Sequence, residues 1–556
     1  YREFAQSVRC LAASLQVKGI QKGDRIALMS HNRPEWPLWD LAALSIGAVI
    51  VPIYPTLTPK QVEWIVNDSQ ARLFVVSDAE LLTPLLPSLS AMPSLQEVCM
   101  FDLQALDCPL PLSSAESWLL ADKTGSFEAP ALATEDLATI IYTSGTTGDP
   151  KGVMLSHGNL ASNALALVEF EKITSKDSCL SFLPLSHAFE RQAHYMFFTA
   201  GGTISYAENV AAIVANLAEV RPTIVVSVPR VFEKVRSRML ENMLAASPLK
   251  KNLFFWSLRN GKKALQRKNA GQALSPWLAL KLFCADTLVF RTARKAFGGN
   301  LRFFVSGGAP LVPEVGDYFK TLGFEILEGY GLTETSPVIA ANQEGKSKIG
   351  TVGTVMPGIT VRLGEDGEIQ VKGPNVMMGY FNRPDLTAEV LKDGWFSTGD
   401  IGEWENGYLK IVDRKKELLI MSNGKNVAPQ PIENALKKSK LVTMAMIVGD
   451  RKNFLTALIV PNWDPTLREA KKKGIPTAPR AEMVNDPRIK ALFRAEIDRL
   501  MADYARFEQL KDFVLLEEEF SQEKNELTPT LKYKRQIILE AYRHLIEPMY
   551  GVAHVG

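Results

Sequence analysis

The fold is decided by one loop, Tyr142-Thr143-Ser144-Gly145-Thr146-Thr147-Gly148-Asp149-Pro150-Lys151-Gly152, which holds four Ser or Thr side chains, three glycines and a lysine. The apolar run just before it, residues 139–142, predicts a buried strand. Glycine lets backbone N–H groups approach a phosphate, hydroxyls donate hydrogen bonds, and lysine supplies positive charge. A polar surface turn is the alternative, but such a turn would not concentrate these residues behind a buried strand. The loop therefore predicts binding of a nucleoside triphosphate.

This loop differs from the P-loop of ordinary NTPases. In the pattern GxxxxGK[ST], Pro150 occupies the place of the second glycine, and Gly152 that of the Ser or Thr that holds magnesium. P-loop chemistry is therefore disfavoured.

The sequence on both sides of the loop alternates short β-branched or aromatic runs with helical stretches, as at Leu73–Val76, 223–228 and 301–305. This alternation is typical of stacked α/β layers with mostly parallel strands. After about residue 350, short strands punctuated by glycine, at 367–371 and 407–412, predict a small and more antiparallel subdomain.

A charged segment, Asp413-Arg414-Lys415-Lys416-Glu417, then precedes about 140 residues rich in charged helix formers. We therefore expect an α/β protein with three parts. Residues 1–412 form a large N-terminal domain of stacked α/β layers with a small β subdomain, 413–416 form a hinge, and 417–556 form a C-terminal α+β domain.

The composition is that of an ordinary globular protein. Of 556 residues, 46% are hydrophobic and 22% charged, which excludes disordered, collagenous and coiled-coil classes. The net charge of +2 is too small for a surface built throughout for polyanions. Five scattered cysteines without CxxC spacing argue against a disulfide framework or a zinc site and favour a reducing compartment. The best apolar run, residues 41–51, ends at Pro52 and is too short to span a bilayer.

A second cluster, Glu328-Gly329-Tyr330-Gly331-Leu332-Thr333-Glu334-Thr335, also follows an apolar strand. A carboxylate flanked by hydroxyls at the end of a strand suits Mg2+ held against a phosphate, and Tyr330 can stack on a base. Upstream, Ser306-Gly307-Gly308-Ala309-Pro310 predicts a turn where backbone approaches a flat ring. Downstream, Ser397-Thr398-Gly399-Asp400 offers a carboxylate suited to two neighbouring ribose hydroxyls.

These segments, in this order, resemble the adenylate-forming superfamily of acyl-CoA synthetases, luciferases and peptide-synthetase adenylation domains, from Tyr1 to about Ile538. Residues 183–191 (LPLSHAFER) and 226–234 (VSVPRVFEK) are similar to the long-chain fatty acid CoA ligase branch. The resemblance implies a two-step reaction. A carboxylate attacks the α-phosphate of ATP and expels pyrophosphate, and the thiol of CoA then captures the acyl-adenylate.

The resemblance also implies roles for single residues. Catalytic positions would be Thr143, Lys151, Glu334, His187 and Lys532, with Glu334 also the ligand of Mg2+. Nucleotide-binding positions would be Ser144, Gly145, Thr146, Thr147, Gly148, Gly307, Gly308, Ala309, Tyr330, Gly331 and Thr333, with Asp400 and Arg414 on the ribose and Gly424 on the pantetheine arm of CoA.

The C-terminal domain of this superfamily is mobile and rotates between the half-reactions, and Lys416 with Asp413 matches the hinge. Lys532 matches the lysine that bridges the substrate carboxylate and phosphate, although this chain has Leu531 where the broad family has glycine. His187 would border the acyl carboxylate; without the family context it would be a core histidine. His194 is expected to be structural, and Ser156 to cap the next helix.

The segment 230–300 is strongly basic. It holds fifteen Lys or Arg and three acidic residues, a local net charge of +12, interleaved with aromatic side chains. Such a pattern suits an interfacial helix on anionic lipid. Helices packed on the core with a solvated charged face are the alternative, and nucleic acid is disfavoured because no binding motif accompanies the segment.

We therefore expect a long-chain fatty acid CoA ligase that uses ATP, Mg2+ and CoA, cytoplasmic and peripheral on the inner membrane face. Two alternatives remain open: a ligase for another apolar carboxylate, aryl or medium-chain, and a catalytically silent lipid-binding or membrane-binding scaffold. The sequence does not fix the oligomeric state, and a homodimer is compatible with it. Tyr1 already lies inside an amphipathic pattern, so we expect residues before it.

Overall fold

The computed structural model describes residues 1–121, 129–143, 150–415, 417–422, 425–502, 504–528 and 532–551. The chain forms two compact units. The first comprises Tyr1–Arg362, Gln370–Thr398 and Glu405–Leu409, and the second comprises Leu363–Ile369, Gly399–Trp404 and Lys410–Gly556. The main segment of the second unit begins a few residues before the predicted hinge, whose role remains a prediction.

The strands are β1 Arg25–Met29, β2 Val49–Ile53, β3 Leu73–Val76, β4 Glu97–Met100, β5 Leu112–Ser114, β6 Leu137–Thr143, β7 Lys151–Ser156, β8 Ser178–Ser181, β9 Thr203–Tyr206, β10 Ile224–Ser227, β11 Phe303–Ser306, β12 Ile326–Gly331, β13 Val338–Ala341, β14 Thr354–Val355, β15 Thr360–Leu363, β16 Glu368–Lys372, β17 Gly379–Tyr380, β18 Leu391–Lys392, β19 Trp395–Glu405, β20 Tyr408–Arg414, β21 Leu419–Ile420, β22 Asn426–Val427, β23 Val442–Val448, β24 Leu455–Pro461 and β25 Leu510–Leu515.

The helices are α1 Arg2–Val17, α2 Glu35–Ser45, α3 Pro59–Ser69, α4 Ala79–Leu82, α5 Leu86–Leu89, α6 Ala115–Ala121, α7 His157–Phe170, α8 Ala188–Ala200, α9 Ile213–Val220, α10 Pro229–Ala245, α11 Pro248–Asn269, α12 Pro276–Ala285, α13 Arg291–Ala296, α14 Pro313–Thr321, α15 Pro384–Val390, α16 Pro429–Leu436, α17 Trp463–Lys472, α18 Arg480–Met483, α19 Pro487–Leu500, α20 Arg535–Ala541 and α21 Arg543–Gly551. Short 3-10 turns cover Thr83–Leu85, Val210–Ala212 and Thr333–Thr335, and a π turn covers Asp286–Phe290.

The first unit contains an eight-stranded sheet in the order β17-β7-β6-β2-β1-β3-β4-β5. Strands β6 to β5 in this order are parallel, while β7 and β17 are added antiparallel. Successive residues of β1 point to opposite faces: Ala27 and Met29 pack towards α3, and Ile26 and Leu28 towards α1 and α2. Because helices cover both faces, the central strands of this sheet are mostly apolar.

A seven-stranded sheet in the order β14-β13-β12-β11-β10-β8-β9 forms a second layer of the same unit. Its strands β8 to β12 are parallel. Ile224 and Phe303 face α7 and α8, whereas Val225 and Phe304 face α9, α10, α11 and α14.

Helices α7 and α8 lie between the two sheets. Leu160 of α7 and Ala188 of α8 join the apolar core of the eight-stranded sheet, and Leu167 and Phe197 of the same helices join that of the seven-stranded sheet. Helices on the outer faces complete a stack of α/β layers, which confirms the predicted fold class. Ser156 caps α7 by accepting a hydrogen bond from Asn159 N, as predicted.

The second unit is α+β. Its three-stranded sheet, β23-β24-β25, buries both faces. Ala457 and Ile459 of β24 pack against α16, α17 and α19, while Leu458 and Val460 pack against α20 and α21.

The predicted glycine-punctuated strands are β16 and β20, which belong to a five-stranded sheet that also contains β15, β18 and β19. Within the part of the chain that the structure describes, no helix has the length and apolar character needed to cross a bilayer.

Candidate active site

The hairpin of β6 and β7 presents the first predicted loop. Its strands pair antiparallel, and Thr143 faces Lys151 in the last pair. The structure therefore places the two predicted catalytic residues of this loop at its two ends. The predicted phosphate-binding residues between them, Ser144, Gly145, Thr146, Thr147 and Gly148, lie outside the described residues, and their role remains a prediction.

Gly152 is a glycine for a packing reason. It pairs with Tyr142 across the hairpin, and a Cβ on it would lie 2.7 Å from Ile140 Cγ2 and 3.1 Å from the Tyr142 ring. The Tyr142 hydroxyl donates to Asp68 of α3 at 2.5 Å, which holds the ring over this position. The sequence pattern groups Gly152 with the glycines of the phosphate loop. The structure places it within β7, where the Tyr142 ring leaves no room for a side chain.

Lys151 and Glu334, from the two predicted clusters, both contact Tyr380. This tyrosine lies on β17, which pairs with β7. Its hydroxyl donates to Glu334 Oε1 at 2.9 Å, and Lys151 Nζ lies 5.2 Å from the centroid of its ring. Burial, together with the Glu334 carboxylate, raises the pKa of Tyr380, so its hydroxyl stays a donor. One buried ring thus joins the cation of the first cluster to the carboxylate of the second.

Glu334 belongs to the 3-10 turn that follows β12, and this turn requires a glycine. A Cβ on Gly331 would lie 1.7 Å from the Pro337 carbonyl oxygen. The same oxygen accepts hydrogen bonds from Leu332 N at 3.1 Å and Thr335 Oγ1 at 2.6 Å. The chain therefore folds back tightly just after the strand, and this closure fixes where Glu334 points.

The carboxyl edge of the seven-stranded sheet holds the other predicted nucleotide residues. Strands β11 and β12 are parallel, with Ser306 opposite Glu328, so the chain segments that follow them leave the sheet side by side. In open α/β sheets this is the edge where ligands bind. The residues that the structure brings together there are Gly307, Gly308, Ala309, Tyr330, Gly331 and Thr333.

Helix α8 begins beside this edge. A Cβ on Gly307 would lie 2.8 Å from Phe189 Cζ, so the first turn of α8 packs directly on the Gly307 turn. His187 is the N-cap of the helix, and its Nδ1 accepts a hydrogen bond from Phe189 N at 3.0 Å. In the neutral ring Nε2 then carries the proton. The role of His187 beside an acyl carboxylate remains a prediction.

Buried charged groups anchor α8. Arg191 pairs with Asp40 of α2 at 2.5 Å and donates to Thr139 Oγ1 of β6 at 2.7 Å, so the helix is fixed to the neighbouring layer. Burial raises the pKa of Glu190 to about 8 and lowers that of His194 to about 4. A neutral, enclosed His194 agrees with the structural role that we expected for it.

Glu328 is a buried carboxyl group at the same carboxyl edge. Burial raises its pKa to about 7, although its oxygens accept hydrogen bonds from Gly350 N at 3.0 Å and Leu311 N at 3.4 Å. The carboxyl group of Glu328, which immediately precedes Gly329 and Tyr330 in the chain, therefore changes charge near neutral pH.

In the second unit, Asp400 of β19 and Arg414 of β20 form an ion pair, with Arg414 Nε 3.1 Å from Asp400 Oδ1. The structure thus brings the two predicted ribose ligands together. Asp413 is buried and accepts a hydrogen bond from Gln430 N in the first turn of α16 at 3.2 Å, and burial raises its pKa to about 6. The predicted residues Lys416 and Gly424 lie outside the described residues.

Lys532 lies exposed at the surface of the second unit. Leu527 and Tyr533 form an antiparallel bridge, while Lys532 N donates to Thr528 Oγ1 at 3.0 Å. The nearby Lys534 is half-buried and donates to Asn525 Oδ1. The exposed Lys532 is therefore the better placed of the two lysines for a substrate.

Two residues of these sites, Tyr380 and Arg535, were missed from the sequence. Arg535 Nη2 lies 2.8 Å from Glu433 Oε1 and its Nε lies 3.2 Å from Glu417 Oε2, so it ties the segment after Lys532 to the residue that follows the predicted hinge. Tyr380 lies in an apolar stretch, residues 377–381, that resembles core. No sequence signal marks either residue, because their partners lie far away in the chain.

Comparison with known proteins agrees with this geometry. The family model described as AMP-binding enzyme matches residues 1–381, and that of the AMP-binding enzyme C-terminal domain matches residues 416–554. The chain is 36% identical over 558 residues to long-chain-fatty-acid–CoA ligase FadD15 of Mycobacterium tuberculosis, covering 99% of this chain and 92% of the relative. It is 31% identical over 588 residues to long-chain-fatty-acid–CoA ligase 1 of Homo sapiens, covering 100% and 82%.

Solved structures show the same fold. The adenylation domain of a carboxylate reductase from Mycobacterium chelonae superposes with a TM-score of 0.78 at 24% identity, covering 99% of this chain and 84% of that one. ATP-bound MatB from Rhodopseudomonas palustris gives a TM-score of 0.70 at 23% identity, covering 98% and 94%. Because the two family models match residues 1–381 and 416–554 and these relatives align over at least 99% of its length, this chain belongs to the AMP-binding enzyme family, among the long-chain-fatty-acid–CoA ligases.

Proposed function

We propose that this protein converts a long-chain fatty acid, ATP and CoA into acyl-CoA, AMP and pyrophosphate. In the first step a carboxylate oxygen of the acid bonds to the α-phosphorus of ATP, and pyrophosphate leaves. In the second step the CoA thiolate attacks the acyl carbonyl, the thioester bond forms, and AMP leaves with its new oxygen. The full-length similarity to long-chain-fatty-acid–CoA ligases supports this reaction.

The observation that carries the proposal is the contact of Lys151 and Glu334 with the same ring, that of Tyr380. Phosphoryl transfer needs little covalent chemistry from a protein and depends on positioning and on charge stabilisation. A lysine at the end of the phosphate loop, held near a carboxylate at the edge of the sheet, supplies both signs of charge that a metal-bound triphosphate requires.

Glu334 fits Mg2+. The carboxylate lies in a fixed turn, and Tyr380 donates to one of its oxygens only. Within the described part of the chain, no group of three or more His, Cys, Asp or Glu forms a metal cage, and Mg2+ commonly binds through one or two carboxylates together with substrate phosphates. When bound, the ion would add positive charge at the transferring phosphate.

We assign the remaining roles as follows. Lys532 bridges the substrate carboxylate and phosphate in the first step, which its exposure and the hydrogen bond from its backbone N to Thr528 Oγ1 support. Asp400 accepts hydrogen bonds from ribose hydroxyls with Arg414 beside it, which their ion pair supports. The pantetheine contact of Gly424 and the hinge role of Lys416 rest on the family resemblance alone.

The long acyl chain supplies much of the binding energy in this proposal. Each buried methylene contributes about 0.8 kcal/mol, so a C16 acid gains roughly 6 kcal/mol over a C8 acid if all eight extra carbons are buried. Such uniform binding lowers KM without raising kcat. A ligase for an aryl or medium-chain acid would show no such gain, and a silent scaffold would not need Lys151, Glu334, Asp400 and Lys532 together.

We also propose a cytoplasmic protein that contacts the inner, anionic face of a membrane through residues 230–300. All five cysteines are free, which supports a reducing compartment. The net charge of +12 in this segment supports attraction to anionic lipid. A homodimer remains a prediction that light scattering of the purified protein would test.

Release of pyrophosphate from ATP, Mg2+ and palmitate tests the proposed function. We expect release with the wild type and a loss of at least about 100-fold with Glu334→Gln, because a neutral amide is a poor ligand for a hard cation. The Glu344→Gln variant is a matched control outside the site. If the wild type releases no pyrophosphate, the catalytically silent scaffold is favoured. A higher kcat/KM with octanoate than with palmitate would favour a medium-chain ligase.

A further inference from the structure

Helix α12 is apolar on both of its sides. Ala285 is fully buried in the core that α12 shares with α11, whereas Trp277, Leu280 and Phe283 are 65%, 51% and 69% exposed. A surface helix of a globular protein ordinarily turns polar side chains to water. The outward face of α12 therefore calls for a partner that removes it from water.

The exposed apolar side chains are concentrated here. Of the sixteen large hydrophobic side chains that are exposed among the described residues, five lie within residues 274–288. We name this set the apolar ridge; it consists of Leu274, Trp277, Leu280, Phe283 and Leu288. Exposed apolar side chains gathered in one short segment point to an interaction site, whereas single exposed hydrophobic residues are ordinary.

Basic residues lie on the helices that precede and follow α12 in the chain. Helix α11 packs against α12 and carries four exposed basic residues in its C-terminal half, and two more are exposed on α13. We name these six residues the basic rim; they are Lys262, Lys263, Arg267, Lys268, Arg291 and Lys295. Asp286 is the one acidic residue within 274–288, and its carboxylate pairs with Arg294 of α13 at 2.7 Å. Lys281 Nζ lies 5.2 Å from the Trp277 ring centroid.

The charge of the rim decides between occupants. In a two-fold dimer the same patch meets itself, so two basic rims would face each other and repel. A nucleic acid would satisfy the charges but not the aliphatic side chains Leu274, Leu280 and Leu288. An anionic bilayer satisfies both, because its headgroups attract the rim and its acyl region accepts the ridge.

The chain places this surface close in sequence to the candidate site. Helices α10 to α13 all lie between β10 and β11, and α10 begins at Pro229, two residues after Ser227. Ser227 is aligned with Ser306, which precedes the Gly307 turn. Because β10 and β11 are parallel, this helical connection begins at the carboxyl edge of the sheet, beside Ser227, and returns to the opposite edge where β11 begins.

We infer that the apolar ridge inserts into the interfacial layer of an anionic membrane while the basic rim binds its headgroups. The inference adds to the proposed membrane contact by naming the side chains that enter the lipid. The reason for membrane binding rests on the proposed function, whereas the binding itself does not. Trp277 is the residue suited to the boundary between headgroups and acyl chains.

Sedimentation of the full-length protein with vesicles tests the inference, using about one-third phosphatidylglycerol in phosphatidylcholine and no substrate. The ridge variant is Trp277→Ser with Leu280→Ser and Phe283→Ser. We expect its partition coefficient to fall at least about 100-fold, because each large side chain withdrawn from water contributes of the order of a ten-fold factor. The control variant is Val17→Ser with Leu165→Ser and Val214→Ser, which removes equally exposed apolar residues elsewhere and should bind like the wild type.

Salt separates the two parts of the surface. Binding of the wild type should weaken as salt screens the rim, and this salt dependence should be smaller in a rim variant with Lys262→Gln, Lys263→Gln, Arg267→Gln and Lys268→Gln. Quenching of tryptophan fluorescence by brominated lipid should fall in Trp277→Phe. This conservative change at an exposed position keeps the test independent of whether the triple variant folds. Unchanged partition of the ridge variant, an equal loss in the control variant, or no change in quenching would overturn the inference.

Two further outcomes would also overturn it. A dimeric wild type that becomes monomeric in the ridge variant would make the ridge a contact between copies, and loss of binding to an RNA duplex in that variant would make it a nucleic-acid surface. Pyrophosphate release from detergent-dispersed palmitate is measured separately. If the wild type releases no pyrophosphate, the proposed function fails. The vesicle-binding experiments still test whether the ridge inserts into the membrane.

Discussion

Gly331→Ala should disable the first half-reaction by moving Glu334. The new Cβ would lie 1.7 Å from the Pro337 carbonyl oxygen, whereas real Cβ atoms essentially never approach closer than 3.0 Å. The turn must therefore open by about 1.3 Å. A misplacement of about 1 Å in a catalytic arrangement costs roughly 100-fold in rate, or about 2.7 kcal/mol. Opening the turn also weakens two hydrogen bonds to Pro337 O, so we expect a loss of about 1–3 kcal/mol in the free energy of unfolding.

The assay is exchange of pyrophosphate into ATP with palmitate, combined with thermal unfolding of the same samples. Gly329→Ala is the matched control, because a Cβ there meets no atom closer than 3.8 Å on the same strand. We expect Gly329→Ala to fold and exchange like the wild type. A Gly331→Ala variant that folds and exchanges at the wild-type rate would refute the view that this turn positions Glu334.

Three other perturbations follow from the same geometry. Tyr380→Phe keeps the ring near Lys151 but removes the donor to Glu334, so exchange should slow about 10- to 100-fold, since a hydrogen bond to a charged group contributes about 1.5–3 kcal/mol; an unchanged dependence of the rate on Mg2+ would argue against this role. Lys532→Ala should abolish acyl-adenylate formation and spare thioester formation from supplied adenylate, with Lys534→Ala as the control; equal loss in both half-reactions would mean that the wrong lysine is assigned. Burial raises the pKa of Glu328 to about 7, above its unfolded value of 4.5, so its stabilising contribution is complete below pH 4.5 and is lost as the pH rises through 7. The free energy of unfolding of the wild type should therefore fall by about 3 kcal/mol more than that of Glu328→Gln over this range, and parallel pH profiles of the two proteins would exclude this effect.

Patterns that are local in sequence predicted the fold class, whereas the roles of the single site residues remain predictions. Strand β3 was predicted at its observed bounds, since an apolar run between turn residues needs no distant information. The sequence also marked the loop before Lys151 and the turn before Glu334 as candidate binding segments, because several residues suited to one chemistry stand together in each.

Contacts between distant segments could not be predicted in this way. The bond from Tyr380 to Glu334 exists because β17 pairs with β7, and no short-range pattern encodes that pairing. Gly152 shows the opposite failure: its place in a glycine-rich loop suggested phosphate binding, whereas the Tyr142 ring across the hairpin explains it. The exposure of the α12 face was also hidden, because a helix that is apolar all round resembles a core helix until its neighbours are known.

Transfer of labelled oxygen tests the central claim most directly. Palmitate labelled with oxygen-18 in its carboxylate is incubated with the protein, ATP, Mg2+ and CoA, and the products are analysed by mass spectrometry. If the carboxylate attacks the α-phosphorus and the CoA thiolate then displaces AMP from the acyl carbonyl, one labelled oxygen must appear in AMP and none in pyrophosphate. Label in inorganic phosphate or pyrophosphate, or formation of palmitoyl-CoA without labelled AMP, would contradict the proposed reaction.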